Sequence, residues 1–95
     1  MRLYWTRPAR IDLDGIVRYI ADDSPTAALD SEDQVWAAAK RLEDMPDSGR
    51  IGRVPGTREL IVNHTPYLVI YRVVENQVEA LRVIHGAQDW PPREN

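Results

Sequence analysis

Ninety-five residues with no cysteine and a formal charge of −3 leave room for one hydrophobic core, hence a single domain over residues 1–95 with one expected site. Disulfides, thiolate metal centres and cysteine nucleophiles are excluded, and with His64 and His85 the only imidazoles neither a metal nor a cofactor is expected. The acidic total speaks against a generic nucleic-acid binder, and the opening Met1-Arg2-Leu3-Tyr4-Trp5, broken by Arg7-Pro8, has the form of neither a signal peptide nor a membrane span, so a cytoplasmic protein with no membrane partner is expected.

Leu3 to Thr6 reads as a short first strand, with Thr6 placed to cap a helix that Pro8 can open without loss of a hydrogen bond. From Ala9 the apolar positions Leu13, Ile16, Val17, Ile20 and Ala21 recur at helical spacing, with Arg10, Asp12, Asp14 and Arg18 mostly opposite. Asp22-Asp23-Ser24-Pro25 ends this helix, and Pro25 or Thr26 opens a second, whose apolar face is Ala28, Val35, Ala38, Ala39 and Leu42. Its alanines favour helix and permit close approach to a neighbour, and the short connection makes the two helices an antiparallel hairpin. Met45-Pro46-Asp47-Ser48-Gly49 stops the second helix, and Arg50 to Gly56 reads as a loop from its recurring glycine and proline.

Three runs rich in Val, Ile, Leu and Tyr follow at Arg58–Val62, Tyr67–Val74 and Val78–Ile84, a three-stranded antiparallel meander. A two-residue loop at Glu75-Asn76 opposes Val74 with Gln77, Arg72 with Glu79, Ile70 with Leu81 and Leu68 with Val83, while a one-residue bulge would exchange the faces beyond it. The fold class is therefore α+β, an αα-hairpin on one face of a small antiparallel sheet, with the tail fraying after about Trp90. Trp5 and Trp36 are expected in the core or at its edge.

Charge is uneven along the chain. Residues 1–48 hold six basic against ten acidic side chains and residues 49–95 six against five, so a local basic patch of Arg50, Arg53 and Arg58 survives beside Glu59. These arginines either bind phosphate or an acidic partner through their forked donors, or form a loop with a strand-end ion pair. Arg82 interrupts an apolar run, so it either faces an open side of the sheet or reaches a helix carboxylate such as Asp12 or Asp14. His85 ends the last strand, where it serves as a general acid or base or as a hydrogen-bonded terminus; His64 falls in a turn. Tyr67 and Tyr71 share a face as half-buried packing residues. Trp90 either stacks on a partner or covers the sheet edge.

The segments P-A-R-I-D-L-D-G-I-V-R-Y-I at 8–20, P-D-S-G-R at 46–50, G-T-R-E-L at 56–60, Y-L-V-I-Y-R-V at 67–73 and L-R-V-I-H-G-A-Q-D-W-P at 81–91, in this order, resemble the RelE/ParE family of toxins from bacterial type II toxin–antitoxin modules. The resemblance implies a β-α-α-β-β-β toxin associated with plasmid stabilisation and growth arrest. Its implied partner is a cognate antitoxin that contributes an apolar helix near the helical hairpin and an extended segment near the sheet. Two targets are implied, the ribosome, where relatives cleave mRNA without a metal, or DNA gyrase, which other relatives poison without nuclease activity.

The nuclease pattern is poorly matched: Leu68 and Gln88 stand where arginines are common in that group, and Lys40 is the sole lysine. A gyrase-directed toxin is accordingly preferred, with Arg58, Arg82 and His85 the best catalytic candidates should the chain be an enzyme, and an inactive binding protein the third alternative. The expected target- or antitoxin-binding set is Arg50, Arg53, Arg58, Arg82, His85, Gln88 and Trp90.

Overall fold

The structure is a computed structural model that describes residues 1–93. Strand β1 (Arg2–Trp5) leads into helices α1 (Arg7–Ala21) and α2 (Pro25–Arg41), followed by strands β2 (Arg50–Ile51), β3 (Arg58–Ile61), β4 (Tyr67–Val74) and β5 (Gln77–His85). The five strands form one sheet in the order β1-β5-β4-β3-β2. Three of the pairings are antiparallel, and β1 joins the far side of β5 in parallel, so the sheet is mixed. Such a parallel return needs a crossover connection, and the helical hairpin supplies it.

Both helices begin as their sequences direct. Thr6 accepts from the Ala9 amide and Ser24 from the Ala27 amide, each with proline in the first turn behind it. Their apolar faces meet the sheet in one core of Trp5, Ala9, Leu13, Val35, Ala38, Ala39 and Leu42 against Val62, Tyr67, Val69, Tyr71, Val78, Ala80 and Val83. Tyr71 is fully buried, its hydroxyl donating to the Pro46 carbonyl at 2.6 Å and accepting from the Gly49 amide at 2.9 Å. Gly49 is needed there, because a Cβ on it would sit 2.7 Å from the Tyr71 ring. Trp36 lies at the edge of the core rather than inside it. It is 46% exposed and tilts over Trp5 at 4.7 Å, since one position beyond Val35 the helix already turns its side chains outward.

The segment read as a loop contains β2. Gly52 donates to the Thr57 carbonyl at 2.8 Å, and a Cβ at Gly52 would fall 2.3 Å from Thr57 Oγ1, so only glycine lets the two chains close. The β4–β5 hairpin turns at Glu75 and Asn76, both with positive φ (49° and 63°), as a two-residue turn requires. The expected pairs Val74–Gln77 and Arg72–Glu79 are present, the latter an ion pair at 2.6 Å. Beyond them the regular register fails. Leu81 is an unmatched bulge residue, so Ile70 faces Arg82 rather than Leu81, and Leu68 faces Ile84 rather than Val83.

The bulge decides the second face of the sheet. Arg82 and Ile84 move to the side away from the helices, where Leu68, Ile70 and Ile84 make a small buried cluster roofed by the half-buried Trp90. The tail continues past this tryptophan with Arg93 3.5 Å from Asp89, and the expectation of a frayed tail also covers residues 94 and 95, which lie outside the described residues. Among the described residues no helix is long and apolar enough to cross a membrane.

Candidate functional site

Helix α1 has a second stripe besides the one it buries. Ile11, Gly15 and Tyr19, four residues apart, lie on one side of the helix, and Ile11 and Tyr19 are 59% and 77% exposed. A Cβ built on Gly15 would meet nothing within 4 Å, so internal packing does not require this glycine, although glycine inside a helix is destabilising. The stripe is one wall of an open groove of about 520 Å³, with Tyr67, Val83 and His85 on its floor and Gln88 at its rim.

Asp12 fastens α1 to the edge of β5. Its carboxylate receives Arg82 through Nε at 2.6 Å and Nη2 at 3.0 Å, and also the Val83 amide at 3.0 Å. Its hydrogen bonds to Asp12 raise the Arg82 pKa above its ordinary value, so this guanidinium is always charged. Arg82 also lies over the Trp90 ring, 5.5 Å from its centroid. Both sequence readings of Arg82 thus hold, with one side chain bridging a helix carboxylate and the far face of the sheet.

His85 points to the groove side. Its ring meets Tyr67 edge-on at 5.7 Å, and Nδ1 accepts the Ala87 amide at 3.0 Å, which directs Nε2 away from the turn. Burial raises the Tyr67 hydroxyl above its ordinary pKa and keeps it a neutral donor at physiological pH. Gln88 closes the same turn through its amide to the His85 carbonyl at 2.9 Å. His64 is exposed in a turn with φ of 66°.

The arginines of the basic patch have internal partners. Glu59 is 1% exposed and accepts from Arg50 Nε and Nη2 at 3.2 and 2.9 Å and from the Arg53 amide at 3.0 Å, with Arg53 Nη2 at 3.6 Å. Burial pushes the Glu59 carboxyl upward, but these donors and charges outweigh it and hold its pKa below the ordinary 4.5. Arg53 Nη1 continues to the Trp90 carbonyl at 3.4 Å. Arg58 donates to the carbonyls of Gly49 and Asp47 at 2.8 and 3.3 Å.

Arg53, Arg82 and Trp90 therefore come together on the far face, while His85 and Gln88 meet on the groove side. The three catalytic candidates do not converge. Arg58 lies opposite Tyr71 and His85 opposite Tyr67, four residues along β4 or about 13 Å, and Arg82 lies across from Ile70 on the other face. The Ile11–Gly15–Tyr19 stripe was missed in the sequence because a search for the buried face passes over apolar residues outside it; their spacing of four was the available signal.

A family model described as the ParE toxin of the type II toxin–antitoxin system parDE matches residues 3–90, and the chain belongs to this family. The Y4kP protein of Sinorhizobium fredii (strain NBRC 101917 / NGR234) is 41% identical over 90 residues, covering 95% of this chain and 93% of its own. Toxin RelE2 of Caulobacter vibrioides (strain ATCC 19089 / CIP 103742 / CB 15) is 34% identical over 87 residues, covering 92% and 97%. A chain of the chromosomal ParDE TA system from P. aeruginosa superposes with a TM-score of 0.80 at 32% identity, covering 90% of this chain and 95% of that one.

Proposed function

We propose that this toxin arrests growth by acting on DNA gyrase rather than by cutting mRNA, and that its antitoxin lays an apolar helix in the groove beside Ile11, Gly15 and Tyr19. The observation that carries the first part is the dispersal of Arg58, Arg82 and His85. Cleavage beside a ribose 2′-hydroxyl needs a proton acceptor within hydrogen-bond reach and a cation at the phosphate. Here the arginines are engaged by Gly49, Asp47 and Asp12, and His85 is about 13 Å along the strand from Arg58. For the second part, two exposed apolar side chains flanking a helix glycine suit the ridge of another helix.

Purified toxin is expected to inhibit gyrase supercoiling and to leave translated mRNA intact by primer extension. Codon-phased cuts that disappear in His85→Ala would overturn this reading in favour of a ribosome-dependent endoribonuclease, the second reading, which the likeness to Toxin RelE2 supports. Induced expression should stop growth, and co-expression of the neighbouring small reading frame should restore it; unchanged growth would mark an inactive binding protein instead. Gly15→Trp is expected to fold normally and to lose the antitoxin by size-exclusion chromatography. Wild-type co-elution would place the antitoxin helix elsewhere.

A further inference from the structure

The terminal charges of α1 oppose the helix that carries them. A helix favours acidic side chains at its N-terminus and basic ones at its C-terminus. Here the first turn holds Arg7 and Arg10 with no acid, while Asp22 and Asp23 stand at the other end. Between them Arg18 is paired with Asp14 at 3.1 Å, and Asp12 with Arg82. Arg7, Arg10, Asp22 and Asp23 are exposed and have no oppositely charged partner among the described residues. Their placement weakens α1 in the free chain, so it does not serve the fold.

The same residues are arranged symmetrically about Gly15. Ile11 and Tyr19 stand four residues to either side of it, about 6 Å along the helix axis, and Arg7 and Asp23 stand eight residues to either side. Ile11 borders both the groove and a neighbouring hollow lined by Arg7, Arg10 and Asp14, so the basic end and the apolar stripe form one continuous surface. Turned end for end about Gly15, this surface complements itself: apolar meets apolar, and the basic end meets the acidic one. A two-fold contact between identical chains requires that property, because each side presents the same patch to the other. The open space around Gly15 lets two helices approach closely at the centre.

We infer that in the absence of antitoxin two copies of this chain associate through α1, antiparallel about a two-fold axis at Gly15. Ile11 of each packs on Tyr19 of the other, and the Arg7 and Arg10 end of each lies along the Asp22 and Asp23 end of the other. The charges fix the direction, since a parallel pair would set like ends together. One helix a side makes a small contact of the transient class, so the dimer forms reversibly. It occupies the groove assigned above to the antitoxin helix, so the two partners exclude one another. The dimer stands without that assignment, and only the exclusion rests on it.

Sedimentation of the toxin alone should show a reversible equilibrium between monomer and dimer, which Tyr19→Asp abolishes. Reversing the acidic end with Asp22→Arg and Asp23→Arg should weaken the dimer roughly tenfold, the contact being made twice, and adding Arg7→Asp and Arg10→Asp should restore it. The chain has no cysteine, so Gly15→Cys carries the sole thiol, and helices that meet there bring two of them within disulfide reach. Gly15→Cys should therefore oxidise to a cross-linked dimer much faster than Arg41→Cys, at the exposed end of α2. Wild-type toxin that stays monomeric at every concentration, charge reversal without effect, or equal cross-linking of the two cysteine variants would overturn the inference. The product of the neighbouring small reading frame should dissolve the dimer and prevent the Gly15→Cys cross-link. A complex that keeps this cross-link would overturn the groove assignment for the antitoxin and leave the dimer intact, whereas a monomeric toxin that binds its antitoxin normally would overturn the dimer alone.

Discussion

On the helix-covered face, Val69, Tyr71, Val78 and Ala80 are fully buried against Val35, Ala39 and Leu42, whereas the opposite face hides Ile70 and Ile84 under a single tryptophan and surrounds them with ion pairs. The first face is held by contact area and by the neutral hydrogen bonds of the Tyr71 hydroxyl, and its core contains no charge for salt or pH between 5 and 8 to act on. The second depends on a carboxylate that has lost its water, Glu59, and on the arginines that replace that water. Arginines that look available in the sequence are thereby fixed within the fold, while apolar side chains left uncovered include Ile11 and Tyr19 on α1, Ile51 on β2 and Ile61 on β3. The charge of Arg50, Arg53 and Arg82 serves internal closure, and the exposed Ile11 and Tyr19 belong to the surface proposed above for a partner.

The contrast can be broken first on the covered face. Leu42 is fully buried, and Leu42→Ala should cost about 2–5 kcal/mol in denaturant unfolding at any pH between 5 and 8, with an unchanged m-value. Glu59→Gln keeps the shape of the far-face network but not its charge, and should cost about 1.5–3 kcal/mol because hydrogen bonds to charged groups are lost. The two variants separate further in acid. The folded pKa of Glu59 lies below the ordinary 4.5, so its contribution is fully present above that value and is lost as pH falls through the folded pKa. Wild-type stability should therefore drop below about pH 4.5 more steeply than that of Glu59→Gln, and parallel curves would show that the network adds nothing.

Trp90→Ala removes the half-buried roof over Leu68, Ile70 and Ile84 and should cost about 1–2 kcal/mol, read as a lower thermal midpoint. The smallest effect has the opposite sign. Gly15→Ala, with open space around the new methyl group, should stabilise the free chain by about 0.5–1 kcal/mol through helix propensity. A destabilised Gly15→Ala would mean that the glycine is needed by the fold rather than left as a notch for a partner.

The helices, their caps, the hairpin turn and the Arg72–Glu79 pair were legible in the sequence because each follows from residues within a few positions of one another, such as Thr6 with Ala9 or Glu75 with Asn76. The parts that were not legible depend on distant groups. Strand β2 exists because Glu59 and Thr57 reach back to Arg53 and Gly52, and nothing in Arg50-Ile51 alone asks for a strand. The bulge falls within Ala80-Leu81-Arg82, a run without glycine or proline to announce it. Of the candidate site residues, His85 and Gln88 stand at the groove, while the pairing of Arg50 and Arg53 with one buried carboxylate required knowing that Glu59 faces inward.

Because side chains along a strand alternate, the unmatched Leu81 inverts the phase of every residue that follows it. Exchanging any one of those residues alters a single group and leaves its neighbours aimed as before. Deleting Leu81 would leave a regular strand in which Arg82, Ile84 and His85 keep their present faces, whereas deleting the paired Val83 would send Ile84 beneath α1 and turn His85 out to the other side. The direction in which this histidine looks is thus encoded in a count of paired residues rather than in their identity, so an indel at a paired position of the last strand would rewire both faces at once where no point substitution could.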